Sequence, residues 1–372
     1  MPYLDRRQTL VGLGAALMST PVASSAAAYD WQTVSPADAG FAPDMEARLD
    51  KLIANKRAWN LHGVVIVRNG RLVLERYFEG EDEARGRRIG KVSFTAETLH
   101  DMRSVSKSVV SLLYGIALEQ GKVPPPEAPL FASFPQHADL AGEAGRERLT
   151  IHHALSMTMG TEWDELSIPY SNPLNSEIAM DRAADRYRYI LERRVIEEPG
   201  RRWIYSGGAT ALLARIIADG TGKPLHQFAR EALFDPLGLG PTAWDVDAQG
   251  EAIAASGLRM TPRDLARIGM MMTGSGMAGD RRVVPAPWIA RSTEPVVPLD
   301  FWRFGYHWYI GDVEFGSRRA RCWGAFGNGG QRLWVLPSLQ IAVAITAGNY
   351  NTTEQWLPPT RLLYEVVLAS VV

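Results

Sequence analysis

Cysteine is almost absent. Cys322 is the single one, which excludes an intrachain disulfide and any zinc site built on thiolates. No basic patch or charge run stands out, and the formal net charge is -1, so nucleic acid is not an expected partner. The seven histidines are scattered. The one adjacent pair, His152-His153, would point its rings in different directions on a helix or a strand, and neither a metal nor another cofactor is called for. No apolar run reaches the roughly 20 residues that span a bilayer. The pattern G-x-S-x-G is missing, which argues against an α/β-hydrolase. What remains is an ordinary globular composition, 46% hydrophobic and 22% charged, ample for one large core or two smaller ones.

The first 28 residues read as an export signal. Arg6-Arg7 precede the short apolar run "TLVGLGAALM", and the small residues of "ASSAAAYDW" follow. A charged start, a brief apolar stretch and a small-residue end define a cleavable secretory signal. The paired arginines, with Leu10 three residues on, fit twin-arginine export of a folded protein; an ordinary secretory signal carrying two arginines is the alternative. Cleavage after Ala28 would leave a periplasmic or secreted chain with no membrane span.

Strands are expected near both ends. "GVVIVRNGRLVLERYF" (63–78) places two β-branched runs around Asn69-Gly70, the dipeptide of a type I′ turn. "QRLWVLPSLQIAVAITAG" (331–348) predicts two more strands around Pro337-Ser338, and 304–311 another. The C-terminal "TRLLYEVVLASVV" has helical spacing. Segments 149–160, 175–194, 208–220, 224–233, 261–273 and 286–292 read as helices. In the fifth, Thr261 can cap, Pro262 suits the first position and Asp264 favours the dipole. The expected fold is α/β (α+β): an antiparallel sheet of N- and C-terminal strands, flanked by helices. Residues 29–125 and 295–372 would form this mixed catalytic domain, and 126–294 an inserted, mainly helical subdomain.

Chemistry points to "DMRSVSKSVVSLL" (101–113). Its apolar residues give the helix that follows Ser104 a buried face, with Gly121 as its stop. Ser104 at the start lies near unpaired backbone N–H groups and the positive end of the dipole, where an oxyanion is stabilised. Spacing of three brings Lys107 to the same face. A serine needs a base to become a nucleophile, and a partly buried lysine of lowered pKa can serve. Of the six lysines, Lys107 alone has a serine three positions earlier. Two further features join it: Tyr205 in "WIYSGGA", just before a helical run, and the glycine cluster of "WGAFGNGGQRLWV". Those glycines would let a substrate approach a strand edge whose N–H completes an oxyanion hole.

These motifs, in this order, resemble the serine β-lactamase and penicillin-binding-protein superfamily, nearest its class C-like branch of esterases, D-peptidases and 6-aminohexanoate-dimer hydrolases. The resemblance runs from about residue 60 to the C-terminus. "SVSKS" matches the nucleophile motif, "YSG" stands for Y-x-N or Y-S-x, and "GNGGQ" for K-T-G or H-x-G. It implies that Ser104 is acylated, that Lys107 and Tyr205 share general-base work, and that the N–H groups of Ser104 and Gln331 form the oxyanion hole. It also implies the same sheet-plus-helical-subdomain fold. Two departures bear on substrate. Asn328 replaces the cation of the third motif, and Gly207 replaces the Asn of Y-x-N. Both argue against efficient β-lactam hydrolysis and leave acyl transfer intact. "WDELSIPYSNPLNSE" is similar to the 6-aminohexanoate-dimer hydrolase group and offers Tyr170 as a pocket residue. Trp163, Trp323 and Phe326 could line an apolar acyl pocket, with Asn328, Gly329 and Gly330 at its mouth.

The expected activity is that of an exported serine hydrolase, with a small ester, amide or peptide as its partner. A β-lactamase or D-alanyl carboxypeptidase is the nearest alternative, and a catalytically silent binding module a third. The intact Ser104, Lys107 and Tyr205 speak against silence. The motifs do not specify the oligomeric state.

Overall fold

A computed structural model describes residues 29–143 and 145–372; the expected export signal, 1–28, lies outside the described residues. Eight strands form one antiparallel sheet. In chain order they are β1 (Leu61–Arg68), β2 (Arg71–Tyr77), β3 (Val297–Pro298), β4 (Arg303–Phe304), β5 (Tyr309–Phe315), β6 (Arg318–Gly327), β7 (Gln331–Leu336) and β8 (Ile341–Ala347). Across the sheet they run β3-β4-β5-β6-β7-β8-β1-β2. The β1–β8 pairing ties the two ends of the chain together, Val64 opposite Ile345 and Ile66 opposite Val343. The expected antiparallel sheet of N- and C-terminal strands flanked by helices is thus the observed one.

The central strands β1, β7 and β8 are buried along almost their whole length because both faces are covered. Val64, Ile66, Val343 and Ile345 pack under α1 (Met45–Ala54) and the C-terminal helical residues Leu362, Val366 and Val367. Val65, Val67, Leu333 and Ala344 face α4 (Pro262–Thr273) and α2 (Val105–Glu119) in the larger core. The helix α2 is buried on nearly every side, from Val105 to Ala117. It packs on α3 (Gly207–Thr221) within the helical layer.

Local chemistry accounts for most boundaries. Asn69 and Gly70 have φ of 49° and 77°, the left-handed pair that a type I′ hairpin requires. Thr261 and Asp264 make a reciprocal capping box ahead of α4, with Pro262 in its first turn. The expected strand at 304–311 is instead broken between Phe304 and Tyr309, where His307 takes φ 62°. The expected helix at 175–194 divides into Ser176–Arg182 and Arg186–Leu191. Ala183 turns extended, and the Asp185 side chain caps the second piece by accepting the Arg188 N–H.

Candidate active site

A two-residue strand, His100–Asp101, pairs with Leu258–Met260 and delivers the chain to the serine. Arg103 then adopts φ 49°, a conformation that a non-glycine residue holds only when its surroundings fix it. Here they do. Its guanidinium donates to Glu83 at 2.8 Å, lies 3.5 Å from Asp101 and sits 4.7 Å from the Tyr350 ring centroid. Below it, Ser106 Oγ donates to the Arg103 carbonyl at 2.6 Å and accepts from the Leu258 N–H at 3.2 Å. The turn thus presents Ser104 at the head of α2. Its side chain makes no capping bond to the helix, so the hydroxyl is free for chemistry.

Lys107 is buried, and its Nζ donates to Ser104 Oγ at 3.1 Å and to the Ala255 carbonyl at 3.1 Å. The Tyr205 ring centroid is 4.8 Å from Nζ, and its hydroxyl faces both Ser104 and Lys107. The structure therefore brings the three expected residues to one point. Sequence reasoning missed two buried carboxylates beside them. Glu165 Oε1 lies 3.6 Å from Lys107 Nζ. That carboxylate accepts from Trp163 Nε1 at 2.9 Å, from the Gly207 N–H at 2.5 Å and from the Tyr170 hydroxyl at 3.1 Å. Glu177 accepts from Ser256 Oγ at 3.0 Å, and one oxygen of each carboxyl lies 3.2 Å from the same point, the position a Cβ would take on Gly207. The only hints in the sequence are the two ends of "ELSIPYSNPLNSE" (165–177), which the fold brings together.

These carboxylates revise the expected state of the lysine. Burial alone would lower its pKa, but the Tyr205 oxygen and the charges of Glu165 and Glu177 outweigh it and hold Lys107 above its ordinary value. In the resting site it is an ammonium, not the neutral amine anticipated from the spacing. Burial raises Tyr205 as well, against the pull of Lys107, so it rests as a phenol. Burial and the neighbouring Glu177 push Glu165 up to about 8. Glu177 itself is held low, because Lys107 and its hydrogen bonds overcome its burial.

A cavity of about 880 Å³ opens above Ser104, with Tyr205, Tyr309, Phe326, Trp302 and Trp334 in its wall. Phe326 stacks on Tyr309, centroids 4.5 Å apart, and meets Trp334 edge-on. Leu166 and Phe301, 66% and 92% exposed, stand at the rim. Arg332 is the one cation in this wall among the described residues. Burial lowers it to about 10, so it stays charged at neutral pH, and its Nη1 is bound to the carbonyls of Gly327 and Gln331. On the other side of Ser104 a polar cleft of about 290 Å³ carries Glu83, Arg85, Arg103, Glu177 and Asp181. The nucleophile thus stands between an apolar chamber and a charged one.

Of the expected binding residues, Tyr170 and Asn328 line both spaces and Phe326 the first. The others sit elsewhere. Trp163 is buried beneath Glu165, and half-buried Trp323 packs against the main core. Gly329 and Gly330 turn the loop at φ 93° and 100°, and the Gly329 N–H is taken by Gln355 Oε1. Gln331 is fully buried, with its amide clamped on the N–H and carbonyl of Ala347. Of the large sheet, the end of β6 runs beside the nucleophile turn, where a Cβ on Gly327 would come 2.4 Å from the Met102 carbonyl. Pairing of β5 with β6 stops at Gly324, whereas pairing with β7 continues to Gly327. On the β5 side, Ala325–Gly327 therefore has no partner strand among the described residues.

A second buried cluster lies behind the nucleophile turn. His62 Nδ1 and His100 Nε2 are 2.8 Å apart, with Asp82 Oδ1 at 3.8 and 3.7 Å and the Tyr350 hydroxyl donating to Asp82 at 3.0 Å. Among the described residues His62, Asp82 and His100 place their ligand atoms within reach of one metal ion; the two imidazoles bond to each other and Asp82 to Tyr350. Burial lowers His62 to about 3 and His100 to about 4, and does the same for His307 (about 3) and His153 (about 4). All four are neutral when folded, while the unfolded chain takes up protons as pH falls below about 6.5. Unfolding is therefore favoured progressively from about pH 6.5 down to 4. Thermal melts should show a Tm at pH 4.5 well below that at pH 7; equal values would contradict the neutral state.

Residues 49–359 match the family model described as Beta-lactamase. A 6-aminohexanoate-dimer hydrolase of Paenarthrobacter ureafaciens is 26% identical over 338 residues, covering 84% of this chain and 78% of the relative. Among solved structures, a class C beta-lactamase from Rhodobacter sphaeroides superposes with TM-score 0.64 at 18% identity, covering 86% and 97% of the two chains. EstCE1, a hydrolase with promiscuous acyltransferase activity, gives 0.67 at 18% identity over 88% and 99%. At such identities these structures share the fold.

Proposed function

The chain belongs to the beta-lactamase family of serine hydrolases, and from that premise we propose that it is an exported enzyme cleaving an ester or small amide through an acyl-enzyme on Ser104. The observation that carries this is the 3.1 Å contact between Ser104 Oγ and the buried Lys107 Nζ, placed at the floor of an aromatic chamber. Tyr205 faces both groups and serves as the proton carrier to the leaving oxygen. The oxyanion is met by the Ser104 N–H at the head of α2 and by an N–H of the unpartnered segment Ala325–Gly327. That segment replaces Gln331 in this role because Gln331 does not line either space. The chamber accepts an uncharged, apolar acyl group.

A second reading, a β-lactamase or D-alanyl carboxypeptidase, is favoured by Arg332, whose charge in the chamber wall could meet a substrate carboxylate. Asn328 does not contribute charge, and both ends of its amide are engaged by Asn351. A panel of p-nitrophenyl esters, nitrocefin, D-alanyl peptides and aminohexanoate oligomers separates the readings. Short p-nitrophenyl esters should have the largest kcat/KM. Asn328→Lys adds a cation at the mouth of the chamber. A charged hydrogen bond is worth roughly 1.5–3 kcal/mol against about 1 for a neutral one, so the ratio of nitrocefin to p-nitrophenyl butyrate kcat/KM should rise about tenfold. A wild-type preference for nitrocefin, or a ratio unmoved by the lysine, counts against the ester reading.

A further inference from the structure

The resting site lacks an obvious base. Lys107 is an ammonium and Tyr205 a phenol, so neither can take the Ser104 proton as it stands. Glu165 and Glu177 are both buried and turn a carboxyl oxygen toward the same point beside Gly207, 3.2 Å from each, and Glu165 lies 3.6 Å from the Lys107 ammonium. Two carboxylates so placed cannot both stay ionised easily, and one proton is shared between them. The space they occupy is the one left by Gly207: a Cβ at that position would lie 3.2 Å from Glu165 Oε2 and 3.1 Å from the Glu177 carboxyl carbon. The chain has a glycine where a side chain would crowd both carboxyls.

We propose that Glu165 and Glu177 act as one proton-holding pair that turns Lys107 into the base for Ser104, with Glu165 taking the ammonium proton. This rests on the reading of Ser104 as the nucleophile. In the ready state both carboxyls are ionised and Lys107 is an ammonium. One Nζ–H bond breaks as an O–H bond forms on Glu165, leaving a neutral amine. The freed Nζ lone pair takes the Ser104 Oγ–H proton while Oγ bonds to the substrate carbonyl carbon and the C=O π pair moves onto oxygen. Lys107 is again an ammonium, and the pair now holds one proton. When the tetrahedral adduct collapses, the C–O or C–N bond breaks. The leaving atom takes its proton from Tyr205, Lys107 refills the phenol, and Glu165 returns its proton to Lys107. The Ser104 proton has then passed to the leaving group, and every carrier is restored. Glu165 touches no reacting atom in this scheme and works through Lys107, as a positioning and proton-storing residue.

The pair must lose its shared proton to become ready, so kcat/KM for a neutral ester should rise with pH through a limb near 8, the value to which Glu165 is pushed. Glu165→Gln keeps an acceptor for the Gly207 N–H but stores no proton. Lys107 is then paired with Glu177 alone and stays protonated further up the scale. The limb should move up by at least one pH unit, with at least a tenfold loss of kcat/KM at pH 8. The double variant Glu165→Gln/Glu177→Gln leaves the buried lysine without a counter-charge. Desolvation then favours the neutral amine, and the limb should move below that of the wild type.

The test is the pH dependence of kcat/KM for p-nitrophenyl butyrate in the three full-length proteins, beside labelling by a fluorophosphonate probe. Opposite shifts in the single and double variants support the proposal. A uniform loss with the limb unmoved in Glu165→Gln overturns it and assigns the acids a structural role, even if the double variant does not fold. Absence of label on wild-type Ser104 removes the nucleophile reading itself, which the pH limb alone does not decide.

Discussion

Lys107→Ala is expected to lower kcat/KM for a p-nitrophenyl ester by about 10³-fold, within the range of general-base catalysis, and to lower stability as well. The activity loss follows from the 3.1 Å contact with Ser104 Oγ. The stability loss follows from what Lys107 neutralises. It is the nearest cation to the buried carboxyl pair, and removing one partner of a buried ion pair costs roughly 3–5 kcal/mol. Uptake of a second proton by the pair offsets part of this, so the loss should shrink as pH falls. Lys107→Arg separates the two effects. Guanidinium restores a cation and much of the stability, but it does not give up a proton, and activity should stay near that of the alanine variant. Near-normal turnover in Lys107→Arg would show that the lysine is needed as a charge and not as a base.

Ser104→Ala should be the converse case: activity falls by about 10⁵-fold or more, as when a nucleophile acting within a unit is removed, while Tm hardly moves. The Ser104 hydroxyl makes no cap to α2. Its removal leaves Lys107 bound to the Ala255 carbonyl and paired with Glu165. The helix head is held by Arg103, Ser106 and Leu258 and not by Ser104. Melting and circular dichroism against the wild type check this. A Tm drop of many degrees would mean that the serine carries structure, and loss of activity could not then be assigned to chemistry.

The contrast between these variants reflects what a sequence can carry. Features that depend on near neighbours were legible: the Asn69-Gly70 turn, the capping box of Thr261 and Asp264, and the three-residue step from Ser104 to Lys107. The pairing of both chain ends in one sheet was legible because the strands there are apolar and β-branched while the middle has helical spacing. The protonation state of Lys107 was not. It is set by Glu165 and Glu177, which lie about 60–70 positions downstream at the two ends of an irregular stretch with no periodic pattern, and by the space at Gly207. The proposed move of the oxyanion edge from Gln331 to Ala325–Gly327 turns on a similar point. Glycines mark where a chain turns, but the length of β5 decides which part of β6 is left without a partner. His307 broke an expected strand because its backbone is bent by packing against Thr210 and Ser108, contacts that its sequence neighbours do not reveal.

The central claim is that Ser104 becomes acylated. The direct measurement is intact-mass and peptide-mapping spectrometry after incubation with a fluorophosphonate or a slowly released acyl ester. The account predicts one adduct per chain, located on Ser104 and absent from Ser104→Ala. An adduct on another serine, or ester turnover by Ser104→Ala at the wild-type rate, would contradict it.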